Sequence, residues 1–144
     1  MARKTEKDML TVSIPRSALT DSQLEKLKAL IKSKESLIRK ALNAGRLDVT
    51  VEDEKISFPW FEVIENGMSI YSEFITALCS TARKLQRVNS KEEKHVENEK
   101  YAFRCFLLRI GLIGEQYRET RKVLLKNLSG SAAFRTLPRK EVNG

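Results

Sequence analysis

The chain has 144 residues, 41% of them hydrophobic and 32% charged, which suits an ordinary globular protein more than a disordered one; a domain of this size can bury roughly 68–70% of its unfolded surface without help from a metal or disulfide. No apolar run approaches the ~18 residues of a membrane span, and the opening "MARKTEKDML" lacks the apolar stretch of a secretion signal, so a cytoplasmic protein with no membrane partner is expected. The formal net charge of +8 is unevenly spread, at +6 over residues 1–46, −6 over 47–80 and +8 over 81–144, so the chain either neutralises itself on folding or offers two fields to two partners.

"MLTVSIP" alternates apolar side chains at Leu10, Val12 and Ile14 and ends at Pro15, which predicts an edge or first strand. "LTDSQLEKLKALIKSKESLIRKALNAG" opens on Thr20 with Gln23 three residues on, the spacing of a capping box. Leu24, Leu27, Ile31, Ile38, Ala41 and Leu42 share one helical face, the helix closes near Gly45, and Ser33 to Ser36 is where it would divide. "LDVTVEDEKISFPWF" predicts strands from Leu47 to Val51 and from Lys55 to Phe58 around an acidic turn at Glu52, Asp53 and Glu54, with Pro59 stopping the second. "GMSIYSEFITALCSTARKLQRV" carries Tyr71, Phe74, Ile75, Leu78, Ala82 and Leu85 at helical spacing over about five turns.

A charged linker at 89–97 leads to the most apolar stretch, "KYAFRCFLLRIGLIG". Its helix, 96–110, is apolar around nearly the whole circumference and is expected to be central. Arg104 and Arg109 interrupt it: Arg109, in the last turn, can cap free carbonyls, while Arg104 requires a buried ion pair with the acidic block or a bound anion. Gly111 and Gly114 predict a short break before a last helix from about Glu115 to Leu128, ended by Gly130. A helix-turn-helix across that break is disfavoured by Leu107 at a position that usually takes a small residue and by Thr120 at one that usually takes an apolar residue. Phe134 is expected to tuck back on the core, with flexible tails at 1–8 and 136–144.

These elements predict one α+β domain over 1–144, a small N-terminal β-α-β-β layer (9–61) packed against a C-terminal three-helix unit (66–130). Arg118, Lys122 and Lys126 form a basic stripe on the last helix, a candidate surface for nucleic acid or an acidic protein partner; Arg121 sits at the edge of the apolar face. Phe58, Trp60 and Phe61 are either a plug between sheet and helices, the more usual use, or a docking patch. With the acidic hairpin, that patch gives the alternative of a protein-interaction or homodimerisation module. Cys79 and Cys105 read as buried free thiols. His95 stands alone among histidines, so no zinc spacing exists, no catalytic residue, metal or cofactor is assigned, and a non-enzymatic role is favoured.

"NEKYAFRCFLLRIGLIGEQYRETRKVLLKNLSGSAAF" closely resembles virulence-related proteins of gut Gram-positive anaerobes, often carried on conjugative transposons. "LTVSIPRSALTDSQLEKLKALIKSKESLIRKAL" and "EKISFPWF" are similar to longer versions of the same family, so the resemblance covers about residues 9 to 135. It implies an accessory protein of a mobile genetic element and assigns no reaction, substrate or site residue.

Overall fold

The structure, a computed structural model, describes residues 9–86 and 98–130. The expected linker at 89–97 with His95, the tails at 1–8 and 136–144, and Phe134 lie outside the described residues. The described elements are β1 (Met9–Pro15), a 3-10 turn (Arg16–Ala18), α1 (Asp21–Ser33), α2 (Glu35–Leu42), β2 (Thr50–Val51), β3 (Lys55–Glu62), α3 (Gly67–Lys84), α4 (Glu99–Arg109), a second 3-10 turn (Glu115–Tyr117) and α5 (Arg118–Leu125). The strands form one antiparallel sheet in the order β1-β3-β2, and the fold is α+β with the β-α-β-β order read from periodicity.

Local chemistry sets the first helices. Thr20 Oγ1 accepts the Gln23 N–H at 3.1 Å and Gln23 Oε1 accepts the Thr20 N–H at 3.0 Å, a complete capping box. Asp21 in the first turn of α1 pairs with Arg16. The expected break falls at Lys34, whose backbone ends α1 and begins α2 and whose buried ammonium lies 5.5 Å from the centre of the Phe106 ring. The second helix ends on Asn43 in the left-handed region (φ 56°), not at Gly45. Asn43 can take this role because its Nδ2 donates to Glu62 Oε2 at 2.9 Å, which holds it against β3.

The strand β3 runs through Pro59 to Glu62 instead of stopping there. Opposite β1 the partners pass from Val12↔Phe58 to Leu10↔Phe61, so β3 carries one extra residue and bulges around Pro59, a place where a residue without an N–H is tolerated. The same bulge shortens β2 to Thr50–Val51. Continued pairing would set Asp48 opposite Pro59, and the Asp48 carbonyl instead accepts the Trp60 indole N–H at 2.7 Å. Phe58, Trp60 and Phe61 are at most 1% exposed, so the docking-patch reading is corrected: these rings are the plug between sheet and helices.

The central helix is α3, and the expectation for 96–110 is corrected accordingly. Along its 18 residues α3 buries Ile70, Tyr71, Phe74, Ile75, Leu78 and Ala82 against the sheet and α1. By contrast α4 buries only Phe103, Phe106 and Leu107 within its length, Ile110 following at its cap. Phe61 stacks on Tyr71 at 4.3 Å between centroids, and Phe74 meets Phe103 edge-on at 6.3 Å, which joins the two halves in one core.

The start of α4 is fixed by the return of the chain after α5. Asn98, 1% exposed, accepts the Tyr101 N–H on Oδ1 at 3.1 Å, and Gly130 (φ +107°) lies so close that a Cβ there would sit 2.2 Å from that oxygen. Gly130→Ala is expected to destabilise the protein by about 1–3 kcal/mol through backbone strain and collision with the cap. Gly45→Ala, which meets open space, is expected to leave the urea midpoint in place; equal midpoints for the two variants would contradict this account.

Candidate nucleic-acid interface

The arginines of α4 do not lie where the sequence placed them. Phe103, Phe106, Leu107 and Ile110 fall within an arc of about 100° on the helical wheel and face the core. Arg109 lies outside that arc and is exposed, and Arg104 is half-buried. Neither forms an ion pair among the described residues, so the predicted buried pairing with the acidic block is corrected. A helix with a single buried arc has room for charge on its solvent side, and the several kcal/mol cost of burying an unpaired guanidinium is never incurred.

The carbonyl-capping role expected of Arg109 belongs to Arg121. Its Nη1 donates to Leu112 O at 2.9 Å and to Gly114 O at 3.0 Å, tying α5 to the turn that follows α4. Gly111 and Gly114 adopt positive φ in that turn. The Lys100 N–H donates to Ser129 O at 3.0 Å, so the start of α4 lies against the chain just beyond α5, and the two helices, which contact each other, form a hairpin, not a helix-turn-helix.

All three residues of the predicted basic stripe, Arg118, Lys122 and Lys126, are exposed, while Leu124, Leu125 and Leu128 face inward. The stripe is not electrically uniform. Arg118 pairs with Glu115 at 3.2 Å, and exposed Glu119 stands beside it, so these three residues at the beginning of α5 carry no excess of positive charge. Lys122 and Lys126 have no ion pair among the described residues, which concentrates the positive potential at the other end of the helix.

That end meets two other helix ends. Asn127 Nδ2 donates to Ala41 O at 2.9 Å, Lys40 pairs with Glu99, and Lys100 bonds Ser129 through its backbone. The last turn of α2, the first turn of α4 and the residues that follow α5 therefore converge, and the basic residues borne by these segments are Arg39, Lys40, Lys100 and Lys126. Arg104 follows Lys100 by one helical turn on the same side of α4. Against these cations stands Glu99, whose side chain is only 12% exposed. Sequence reading missed Arg39, Lys40 and Lys100 because the convergence of their segments with that of Lys126 is purely tertiary.

The acidic hairpin lies at the far end of β3. Glu52, Asp53 and Glu54 are exposed at its tip, and the Arg16 N–H donates to Glu54 O there, whereas Asn43 reaches Glu62 at the other end. The eight-residue strand between them rises by about 23 Å, which exceeds the Debye length of ~8–10 Å at ordinary ionic strength. The acidic and basic ends thus act as separate fields.

Two further features bear on chemistry. Burial lifts the Cys79 thiol from its ordinary 9.0 to about 11, with the Arg83 charge pulling weakly the other way, and Cys105 is half-buried. A cleft of about 360 Å³ between α3 and the turn after α4 is lined by Glu73, Ser80, Lys84 and Tyr117; the Glu73 carboxylate accepts the Thr120 hydroxyl. Among the described residues no cluster of three metal-ligating side chains occurs, and no helix is long and apolar enough to cross a membrane. Comparison with protein-family models, curated proteins and solved structures returns no match.

Arg121→Ala is expected to cost about 1–2 kcal/mol by freeing two carbonyls at the turn, while Lys122→Ala leaves the denaturation midpoint unchanged; the reverse order would overturn the assignment of Arg121. For the thiols, Cys105 is expected to react with a disulfide reagent in the native state and Cys79 only on unfolding. Because folding raises the Cys79 value, its contribution to stability is constant below pH about 9 and is lost as the pH rises toward about 11. Rapid native labelling of Cys79 at pH 8 would contradict its burial.

Proposed function

We propose that the protein is a non-enzymatic accessory protein of a mobile genetic element that works in the cytoplasm and binds nucleic acid through the junction of α2, α4 and α5. The setting comes from the resemblance to virulence-related proteins of gut Gram-positive anaerobes. The binding reading is carried by one observation, that Lys122 and Lys126 are exposed without carboxylate partners among the described residues. Cations freed from internal pairing can replace counterions on a phosphate backbone, and the gain is the release of those ions to solvent. Arg118, already engaged by Glu115, is assigned a minor part.

A second reading, a protein-interaction module, is favoured by the exposed tip Glu52, Asp53 and Glu54 and no longer involves the aromatic cluster, which is buried. It would present the acidic tip to a basic face of another protein or of a second copy. Scattering that gives the monomer mass at high concentration and low salt would exclude the second copy.

The nucleic-acid reading is tested by fluorescence anisotropy on labelled oligonucleotides at several salt concentrations. Binding is expected to weaken steeply with salt, Lys122→Glu/Lys126→Glu to weaken it at least tenfold, and Glu119→Lys to strengthen it. If the double lysine variant titrates like the parent, the surface has been wrongly assigned.

A further inference from the structure

We propose that the cleft between α3 and the turn after α4 binds a small zwitterion, its ammonium group held by Glu73 and its carboxylate by Lys84, with a short spacer between them. The inference is independent of the nucleic-acid reading, because none of these residues belongs to the basic surface of α5. The cleft measures about 360 Å³, at the small end of the ~300–1,000 Å³ of ordinary ligand pockets.

One wall is a stripe of α3. Glu73, Thr76, Ser80 and Lys84 line the cleft at helical spacing, which places them on one face. The other wall is Ile110, Gly111 and Leu112, with Tyr117 beyond. Three ties hold the walls together. The hydroxyl of Thr120, a buried residue, donates to the Glu73 carboxylate, and the Thr81 hydroxyl reaches Ile110 O at 3.4 Å. Arg121 Nη1 donates to the carbonyls of Leu112 and Gly114 and so fixes the turn. A cleft held in this way is formed before a ligand arrives, which leaves little ordering to be done on binding.

The two ends differ in chemistry. Glu73 is half-buried, and its carboxylate, although bonded to Thr120, forms no ion pair among the described residues. A half-buried carboxylate attracts a cation more strongly than an exposed one, since less water screens the pair. Tyr117 precedes Thr120 by three residues and adds an aromatic ring to the lining, a surface that suits an alkylammonium. Lys84 is exposed and stands eleven residues along α3 from Glu73, about 16 Å by helical rise, too far for the two to pair with each other. Between them Ala77, Ile110 and Leu112 supply apolar surface, and Thr76 and Ser80 supply hydroxyls. At Gly111 (φ +106°) nothing lies within 4 Å of where a Cβ would stand, so a ligand can approach the bare backbone. Opposite charges at the two ends also discriminate: a plain anion meets Glu73, and a plain cation meets Lys84.

The test is a titration of the full ¹⁵N-labelled chain, followed by NMR, with 6-aminohexanoate and with triglycine, whose extended chain reaches roughly 10 Å. Both are expected to shift the amides of Thr76, Ser80, Gly111 and Leu112 saturably, and hexanoate and hexylammonium to bind at least about fivefold more weakly. Tighter binding of triglycine supports the site with a peptide spacer, and tighter binding of 6-aminohexanoate supports it with a methylene one. Glu73→Gln keeps an acceptor for Thr120 and removes only the charge. It is therefore expected to leave the urea midpoint in place and to weaken binding about tenfold, as is Lys84→Gln at the exposed end. Lys122→Glu/Lys126→Glu is expected to bind the zwitterion like the parent, which separates this site from the nucleic-acid surface. Unchanged binding by Glu73→Gln, or hexylammonium binding as tightly as 6-aminohexanoate, would overturn the two-ended assignment. The absence of saturable shifts with either zwitterion up to about 20 mM would overturn the site itself, whether or not the protein binds nucleic acid.

Discussion

The bulge at Pro59 is the constraint on which the rest of the molecule depends. In a regular strand alternate side chains point to opposite faces, so Phe58, Trp60 and Phe61 could not all be buried against the same helical layer. One extra residue in β3 changes the parity, and all three rings become inaccessible to solvent. Each ring then carries a connection. Phe58 meets Trp60 edge-on, Trp60 holds the Asp48 carbonyl, and Phe61 stacks on Tyr71 of α3. Burial, reinforced by the Glu62 carboxylate, raises the Tyr71 phenol above its ordinary 10.0, as expected for a ring sealed under the sheet. The contacts continue from Phe74 to Phe103 and Phe106, and end under the ammonium of Lys34 between α1 and α2.

The parts of this architecture written in local chemistry were legible from sequence. Thr20 and Gln23 announce the start of α1, the period of α3 announces a buried stripe, and Gly111 with Gly114 announces a turn. What failed were inferences about which neighbour covers a face. The circumference of α4 is apolar in composition, yet only the arc holding Phe103, Phe106 and Leu107 finds a partner, and α3 takes the centre because its stripe persists for 18 residues. Pro59 departs from its expected place at a strand end for a related reason. A proline ends a strand that must donate at every position, but whether a donor is needed depends on the partner strand, and a bulge removes that need. Asn43 in the left-handed region belongs to the same class, since its contact with Glu62 is invisible along the chain.

The candidate interface was half legible for a comparable physical reason. Helical spacing located Lys122 and Lys126, and both are exposed. Spacing could not show that Arg118 is matched by Glu115, nor that the end of α2 meets the chain 86 residues later through the contact of Asn127 with Ala41. Charge is a property of a surface, and that surface is assembled by the hairpin of α4 and α5 closing on the end of α2. The interactions at Asn98 and Arg121 fix the first turn of α4 and tie α5 to the turn that follows α4, and so set where the proposed surface lies.

The net charge of +8 conceals a division of labour that folding preserves. Had the acidic block folded onto the basic ends, Glu52, Asp53 and Glu54 would be found opposite Lys122, Lys126 or Arg39, and the surface would be close to neutral. Instead the hairpin tip and the Asn43–Glu62 contact lie at opposite ends of β3, about 23 Å apart, beyond the Debye length. An acidic tip at that distance leaves the attraction between the junction and a polyanion undiminished, but it repels the same polyanion elsewhere. On the proposed nucleic-acid reading the effect would be orientation, with phosphates drawn to one end of the molecule and kept from the other. A basic protein with its acids dispersed would adhere to a polyanion by any face, whereas acids gathered at a hairpin tip leave the exposed cations of α5 as the face such a partner would meet first.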